Sequence, residues 1–321
     1  MEAPVLASVI VPTRNRPERL LRALRSVLAQ DDGSWEAIVV DDGDGEGTAA
    51  AASLGDGRIR ALANAGSGLV DARMTAISSA RGELVCWLDD DDWWDDPGHL
   101  TLLRGAAAAG DSRFFFRGGW IVHEEDGRRE VFDHDATPAS LRENNTVLTS
   151  GIAYRATLHS TLGPLDRELG GYCDWDFMLR MCDAGVGPHK LPGLGVCYAV
   201  HGANASKVVD APARLQGFER FADKHALDVV VGNHVTIHRL LMSVPEGWSE
   251  VEGALEREFR FNDFRTAIGF VERIAEIAED ANHHPDIAIH YNRVTLRWWT
   301  HTAGGITDRD RELAERSSAL A

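Results

Sequence analysis

Carboxylates crowd at three places in this sequence: Asp41-Asp42, the run Asp89 to Asp92, and Asp174 with Asp176. Three histidines, His283, His284 and His301, stand near the far end. Packed carboxylates repel one another unless a cation lies between them, and hard oxygen ligands select Mg2+ or Mn2+. A divalent ion with open positions binds phosphate groups and neutralises a departing diphosphate. The competing reading makes the run a solvated acidic turn ahead of a helix. Imidazoles exchange protons readily near neutral pH, which suits acid–base removal of water. Three histidines also suit zinc, against which stand the adjacency of His283 and His284 and the lack of cysteine in that half.

The elements that must position these groups are legible as patterns. Leu6 to Val11, Ala37 to Val40, Arg58 to Leu62 and Leu84 to Leu88 are short apolar runs. Helical spacing fills the gaps at Glu18 to Gln30, Thr48 to Leu54 and Val70 to Ala80. This alternation predicts a Rossmann-like α/β domain with a mainly parallel sheet and helices on both faces. Ligands of such sheets sit beyond the carboxyl ends of the strands, which is where the first two acidic clusters fall. After about residue 225 the pattern changes. Leu255, Phe259 and Phe261 alternate with polar residues, Phe264 to Ala281 has helical spacing, and Val294, Leu296 and Trp298 restore the period of two. That order predicts a small α+β domain with helices on one face of an antiparallel sheet. The division expected is 1–225 and 228–321, with a soft boundary between Ala211 and Val231.

Composition narrows the function. The chain has 321 residues and a net charge of −17, which disfavours nucleic acid and anionic membranes as partners. No apolar run approaches the roughly 20 residues that cross a bilayer, and the N-terminus lacks a basic leader. Four cysteines without a C-x-x-C spacing point to a reduced compartment. The expectation is a soluble, cytoplasmic protein.

Four segments in order carry a resemblance: Ser8-Val9-Ile10-Val11-Pro12-Thr13-Arg14-Asn15-Arg16, Val39-Val40-Asp41-Asp42-Gly43, Asn64-Ala65-Gly66 with Ala72-Arg73, and Trp87 to Trp93. Over about residues 5 to 210 the chain resembles family 2 glycosyltransferases of the GT-A fold. The resemblance implies an inverting transfer of sugar from a nucleotide-sugar, a UDP- or dTDP-sugar, to a hydroxyl or an amine. It implies that Asp89, Asp90 and Asp91 grip Mg2+ or Mn2+ and the donor diphosphate, with Asp91 as the metal ligand. Asp42 would contact the nucleotide, with Pro12, Thr13, Arg14 and Arg73 in the same pocket. Gly171 to Arg180 looks like the acceptor-side motif, in which Asp174 corresponds to the catalytic base. Cys173 stands where the family usually has Glu, and Asp174 could also serve as a helix N-cap. His201-Gly202-Ala203-Asn204-Ala205-Ser206 is similar to the family's tail motif, making His201 a metal ligand or a contact of the diphosphate. Arg113 to Leu148, which carries no motif, is the expected acceptor wall.

A second resemblance covers Asp228 to the end. Pro245-Glu246-Gly247-Trp248, Phe259 to Phe264, Glu279-Asp280-Ala281-Asn282-His283-His284-Pro285, Tyr291 to Val294 and Thr300 to Thr307 with Asp310 resemble pterin-4a-carbinolamine dehydratases. That family dehydrates 4a-hydroxytetrahydropterin without a metal, which implies catalytic roles for His283, His284 and His301 and supporting roles for Glu279 and Asp310. Its members associate, so a homo-oligomer formed through this domain is also implied. Three readings of this domain stay open: a pterin dehydratase, a non-catalytic assembly module, and a dehydratase of a pathway intermediate.

Overall fold

Four short apolar runs become the parallel half of a sheet. Strand β1 (Ala7–Thr13) lies between β2 (Trp35–Asp41) and β4 (Leu84–Trp87), and β2 pairs with β3 (Ile59–Ala63), all in parallel. The computed structural model describes residues 6–202, 212–227, 244–300 and 305–321, and the chain divides into two compact units, Met1–Ile237 and His238–Ala321. Strands β1, β2 and β4 are buried along their whole length because helices cover both faces.

Side chains alternate across a strand, so one strand feeds two cores. Val9 and Val11 pack with Leu20, Leu24 and Val27 of α1 (Pro17–Leu28), Ala51 of α2 (Glu46–Ser53) and Leu103 of the later helix at His99–Ala109. Ile10, between them, packs with Val70 and Ala76 of α3 (Gly68–Ser78) and with Phe177 and Leu179 of the helix at Cys173–Asp183. Each buried Val, Leu, Ile or Phe contributes about 1.5–3 kcal/mol relative to exposure. The alternation therefore fixes the register, since a slip by one residue would exchange the two faces. Pro17 opens α1, where its preset φ costs the helix no hydrogen bond.

Beyond β4 the sheet is mixed. Helix α4 (His99–Ala109) follows the short strand β5 (Trp93–Trp94), and β6 (Phe114–His123) is flanked by β8 (Ala153–Arg155) and β9 (Pro188–Val200). The β4–β8, β8–β6 and β9–β5 pairs are antiparallel, β6–β9 is parallel, and β7 (Arg129–Phe132) forms an antiparallel hairpin with β6. Short helices α5 (Ser140–Glu143) and α6 (Leu158–Leu162) lead to α7 (Cys173–Asp183) and α8 (Pro212–His225). The parallel order expected from the sequence thus describes the first four strands, and antiparallel pairing dominates the rest. Among the described residues no helix is long and apolar enough to cross a membrane.

In the second unit, β10 (Ser249–Val251), β11 (Ala254–Arg260), β12 (Asp286–His290) and β13 (Arg293–Trp298) form an antiparallel sheet in the order β10-β11-β13-β12. Leu255, Phe259, Val294, Leu296 and Trp298 meet Ala267, Phe270, Ile274 and Ala278 of α9 (Phe264–Ala281) and Leu313 and Ala314 of α10 (Asp308–Ala319). Asp263 starts α9 by accepting the Thr266 N–H at 2.8 Å. Asn282 ends it with φ 45°, a left-handed conformation that Asn tolerates and that places His283 just past the last turn.

Candidate active sites

The carboxyl ends of the parallel strands bring the first acidic clusters to one edge of the sheet. Asp41 and Asp42 divide the work between them. Asp41 takes the Thr48 N–H at 2.9 Å and holds the start of α2. Asp42 takes the Asn64 side-chain amide at 2.7 Å and the Gly68 N–H at 2.9 Å, while its own N–H donates to the Thr13 carbonyl. Gly68 adopts φ 80°, a conformation open to glycine, so that its N–H faces this carboxylate. Arg14, largely exposed, lies 3.8 Å from the outer oxygen of Asp42. Pro12 is buried near the end of β1, past the last residue paired with β4.

The next acids form a tightly held loop. Thr13 donates to Asp90 at 2.7 Å. Arg16 Nη1 bridges Asp90 Oδ1 at 3.2 Å and Asp91 Oδ2 at 2.8 Å, and the latter oxygen also lies 3.0 Å from His201 Nε2. Asp89 pairs with Arg73 at 2.7 Å. Asp92, 1% exposed, accepts from Ser150 Oγ at 2.5 Å and from the Ala199 N–H at 2.9 Å. The acids are therefore not a solvated turn.

Electrostatics separates these carboxylates. Burial, reinforced by Asp91, pushes Asp90 up to about 6. Burial with repulsion from Asp91 and Asp89 holds Asp92 well above the usual carboxylate range. Burial opposes the charge on Asp91 as well, but the His201 hydrogen bond and the Arg16 charge outweigh it and hold Asp91 below its ordinary value. Asp91 is the acid of the three whose charged form the surroundings favour. Its Oδ2 and the His201 imidazole form an oxygen–nitrogen pair that suits a divalent cation completed by phosphate oxygens and water. Among the described residues no group of three or more His, Cys, Asp or Glu is placed to hold a metal alone.

Asp174 lies within the first turn of α7, behind Tyr172 and Cys173. Tyr172, not Asp174, is the N-cap residue, which corrects the capping alternative, although Asp174 Oδ1 does accept the Trp175 N–H at 2.8 Å. Its Oδ2 accepts from Thr149 Oγ1 at 2.6 Å. Arg73 ties this side to the acidic loop: it is 2% exposed, sits 4.5 Å over the Trp87 ring, and points Nη1 at Cys173 Sγ 3.4 Å away. Cys173 cannot supply the counter-charge that Glu would, because burial raises its thiol to about 11. Asp89 takes that part.

Sequence reasoning missed Thr149 and Ser150 as site residues and gave Asp92 no role beyond its place in the acidic run. The short 3-10 turn Thr149–Gly151 holds Asp174 through one hydroxyl and Asp92 through the next, and Ser150 Oγ also accepts the Asp89 N–H at 3.1 Å. Two adjacent hydroxyls in an unremarkable stretch give no signal. Arg16 had one: an acidic run requires a nearby positive charge.

In the second unit His283 Nε2 lies 2.6 Å from Asp310 Oδ1. Asp310, fully buried, accepts at Oδ2 from Thr300 Oγ1 and from both the N–H and hydroxyl of Thr307. These contacts bring the end of β13, the start of α10 and the end of α9 together. His283 stacks on Trp298 at 5.7 Å. His284 is exposed, 3.1 Å from Glu279. His301 lies outside the described residues.

Two enzyme domains are thus joined in one chain. Residues 8–150 match the model of glycosyl transferase family 2, and residues 233–320 match that of pterin 4 alpha carbinolamine dehydratase. The C-terminal region is 54% identical over 86 residues to the "Putative pterin-4-alpha-carbinolamine dehydratase" of Thermomicrobium roseum, spanning 27% of this chain and 91% of that one. A like-named protein of Gloeobacter violaceus is 60% identical over 68 residues, 21% of this chain and 74% of its own. Among solved structures, S. aureus TarS 1-349 in complex with UDP-GlcNAc aligns at TM-score 0.55 and 16% identity, over 76% of this chain and 75% of that one. Another structure of that S. aureus fragment aligns over 61% of this chain and 60% of its own at TM-score 0.50 and 20% identity. The mannosyltransferase PcManGT of Pyrobaculum calidifontis, in complex with GDP-Man and Mn2+, aligns at TM-score 0.54 and 18% identity over 75% and 72%. The first unit has the GT-A fold. The chain belongs to the pterin-4a-carbinolamine dehydratase family through its C-terminal unit and carries a family 2 glycosyltransferase domain before it.

Proposed function

We propose that the first unit transfers a sugar with inversion from a nucleotide-sugar, a UDP- or dTDP-sugar, to a hydroxyl or amine acceptor. The observation that carries this is the meeting of Asp91 and His201, from the loop after β4 and the end of β9, on one carboxylate oxygen. These two residues would hold Mg2+ or Mn2+, which supplies charge neutralisation to the departing diphosphate. Pro12, Thr13, Arg14 and Asp42 line the nucleotide side, and Arg73, Asp89 and Asp90 shape the diphosphate side. Asp174 takes the acceptor proton as the acceptor attacks the sugar carbon. Thr149, donating to Asp174 Oδ2, aims the carboxylate. Turnover of labelled UDP- and dTDP-sugars by the full chain, with Mn2+ and with EDTA, tests this. Asp174→Asn should lose turnover while still binding donor, and unchanged turnover in that variant would refute the assignment.

The second unit is proposed to dehydrate a 4a-carbinolamine of a pterin. Asp310 faces His283 Nε2 and so fixes the tautomer that leaves Nδ1 as proton acceptor. His283 then takes the proton from the ring nitrogen beside the carbinol carbon. A second imidazole, His284 or His301, protonates the leaving hydroxyl, which departs as water. Glu279 steadies His284. A specific feature also favours an assembly role: the edge strand β12 is exposed throughout, with Ile287 and Ile289 at 38% and 37%. Pairing with a second copy would cover this edge and form a homo-oligomer. The cysteines are free, which suits a cytoplasmic setting.

A further inference from the structure

Three arginines surround the acidic loop, and they are held in different ways. Arg73 is 2% exposed and locked between Asp89, Cys173 and Trp87. Arg22 holds the loop's backbone, donating to the Asp91 carbonyl at 2.6 Å while its guanidinium lies 4.1 Å over Trp93 and pairs with Glu124. Arg16 is the one whose guanidinium lies on the Asp91 carboxylate, and its side chain is 30% exposed. Its backbone is fixed where α1 begins, because its carbonyl accepts the Leu20 N–H at 3.0 Å. The stem is thus anchored, and the partly exposed head reaches the carboxylates of Asp90 and Asp91.

Arg16 Nη1 and His201 Nε2 both lie within hydrogen-bond distance of Asp91 Oδ2. A divalent cation arriving at that oxygen would meet the charge of the guanidinium already there and draw on the same lone-pair density. The two positive groups must compete. We propose that Arg16 is the resident counter-ion of the loop: it bridges Asp90 and Asp91, yields Asp91 to a divalent cation, and turns toward the anionic diphosphate of a nucleoside-diphosphate donor. An ion pair within the chain is thereby exchanged for one with the substrate. Arg22 and Arg73 keep the loop in place during the exchange, since neither of their contacts involves the Asp91 carboxylate. The guanidinium fork suits both sites, as it matches carboxylate and phosphate oxygens alike.

This inference rests on the metal-dependent transferase reading. Its test needs no turnover: Mn2+ alone is titrated into the full chain and the free ion is followed by electron paramagnetic resonance. Loss of a competing charge-assisted hydrogen bond corresponds to about tenfold or more in affinity. Arg16→Gln should therefore bind Mn2+ about tenfold more tightly than the wild type, and Asp91→Asn should bind it poorly. Should Arg16→Gln not fold, as read from its tryptophan fluorescence melt, Arg16→Lys replaces it, and a smaller gain in affinity is expected. Unchanged or weaker Mn2+ binding in the Arg16 variant, alongside its loss in Asp91→Asn, overturns the counter-ion proposal alone. No Mn2+ binding by any form, with or without UDP, overturns the transferase reading with it.

Discussion

Replacing Asp90 by Asn should stabilise the metal-free protein at neutral and alkaline pH. Asp90 is 5% exposed, and burial beside Asp91 moves its pKa up to about 6 in the folded chain, against 3.8 for an ordinary Asp. The folded state thus binds this proton more tightly than the unfolded state does. The sign follows: the folded state suffers no penalty below pH 4, loses stability as pH rises through 6, and bears the full cost above it. At about 1.4 kcal/mol per pH unit, the cost at pH 8 is on the order of 3 kcal/mol. Asn is nearly isosteric and can still accept the Thr13 hydroxyl, so the variant escapes most of this cost. A gain of that size corresponds to about 6–12 °C in melting temperature for a domain of about 200 residues. The assay is thermal unfolding in EDTA at pH 4, 6 and 8, followed by tryptophan fluorescence in the transition of the first unit. The difference should be near zero at pH 4 and largest at pH 8. Equal melting at pH 8, or a difference that does not change with pH, would refute the reasoning.

Thr149→Val should lower kcat of sugar transfer about tenfold or more while leaving donor KM unchanged, because one hydrogen bond to a charged group is worth about 1.5–3 kcal/mol. Equal loss in the apparent affinity for donor would show that the turn Thr149–Gly151 shapes the nucleotide side instead. Asp310→Asn removes the charged partner of His283 and should reduce dehydration of a 4a-carbinolamine pterin about 10–100-fold. Activity within twofold of the wild type would contradict the paired role. On the assembly reading the wild type sediments as an oligomer and replacing Ile287 and Ile289 together by Lys should yield a monomer; a wild-type monomer, or an unchanged sedimentation coefficient in the variant, would show that β12 is not the contact.

What could be read from the sequence divides along physical lines. Strands β1, β2 and β4 were visible because a strand covered on both faces is mostly apolar, and the partly buried edge strand β3 kept a short apolar run. The α9 stripe and the alternation of β11 and β13 were visible for the same reason, since one buried face imposes a period. Residues 93 to 200 resisted such reading. Their strands pair out of chain order, with β6 between β8 and β9, so adjacency in sequence says little about adjacency in the sheet. Site residues followed the same rule. Asp91 and His201 were named from motifs, yet their contact spans 110 positions, and only the path of β9 brings it about. The clamp of Thr149 on Asp174 and that of Ser150 on Asp92 depend on hydroxyl placement that no composition or periodicity encodes.

The claim beneath the transferase assignment is that Asp91 and a divalent cation together receive the donor's diphosphate. Calorimetric titration of UDP or dTDP into the full chain, with Mn2+ or with EDTA, measures that coupling directly. The wild type should bind one of these nucleotides at least about tenfold more tightly with Mn2+, a coupling of about 1.4 kcal/mol, and Asp91→Ala should show none. Tight nucleotide binding indifferent to Mn2+ in the wild type, or coupling that survives in Asp91→Ala, would contradict the account.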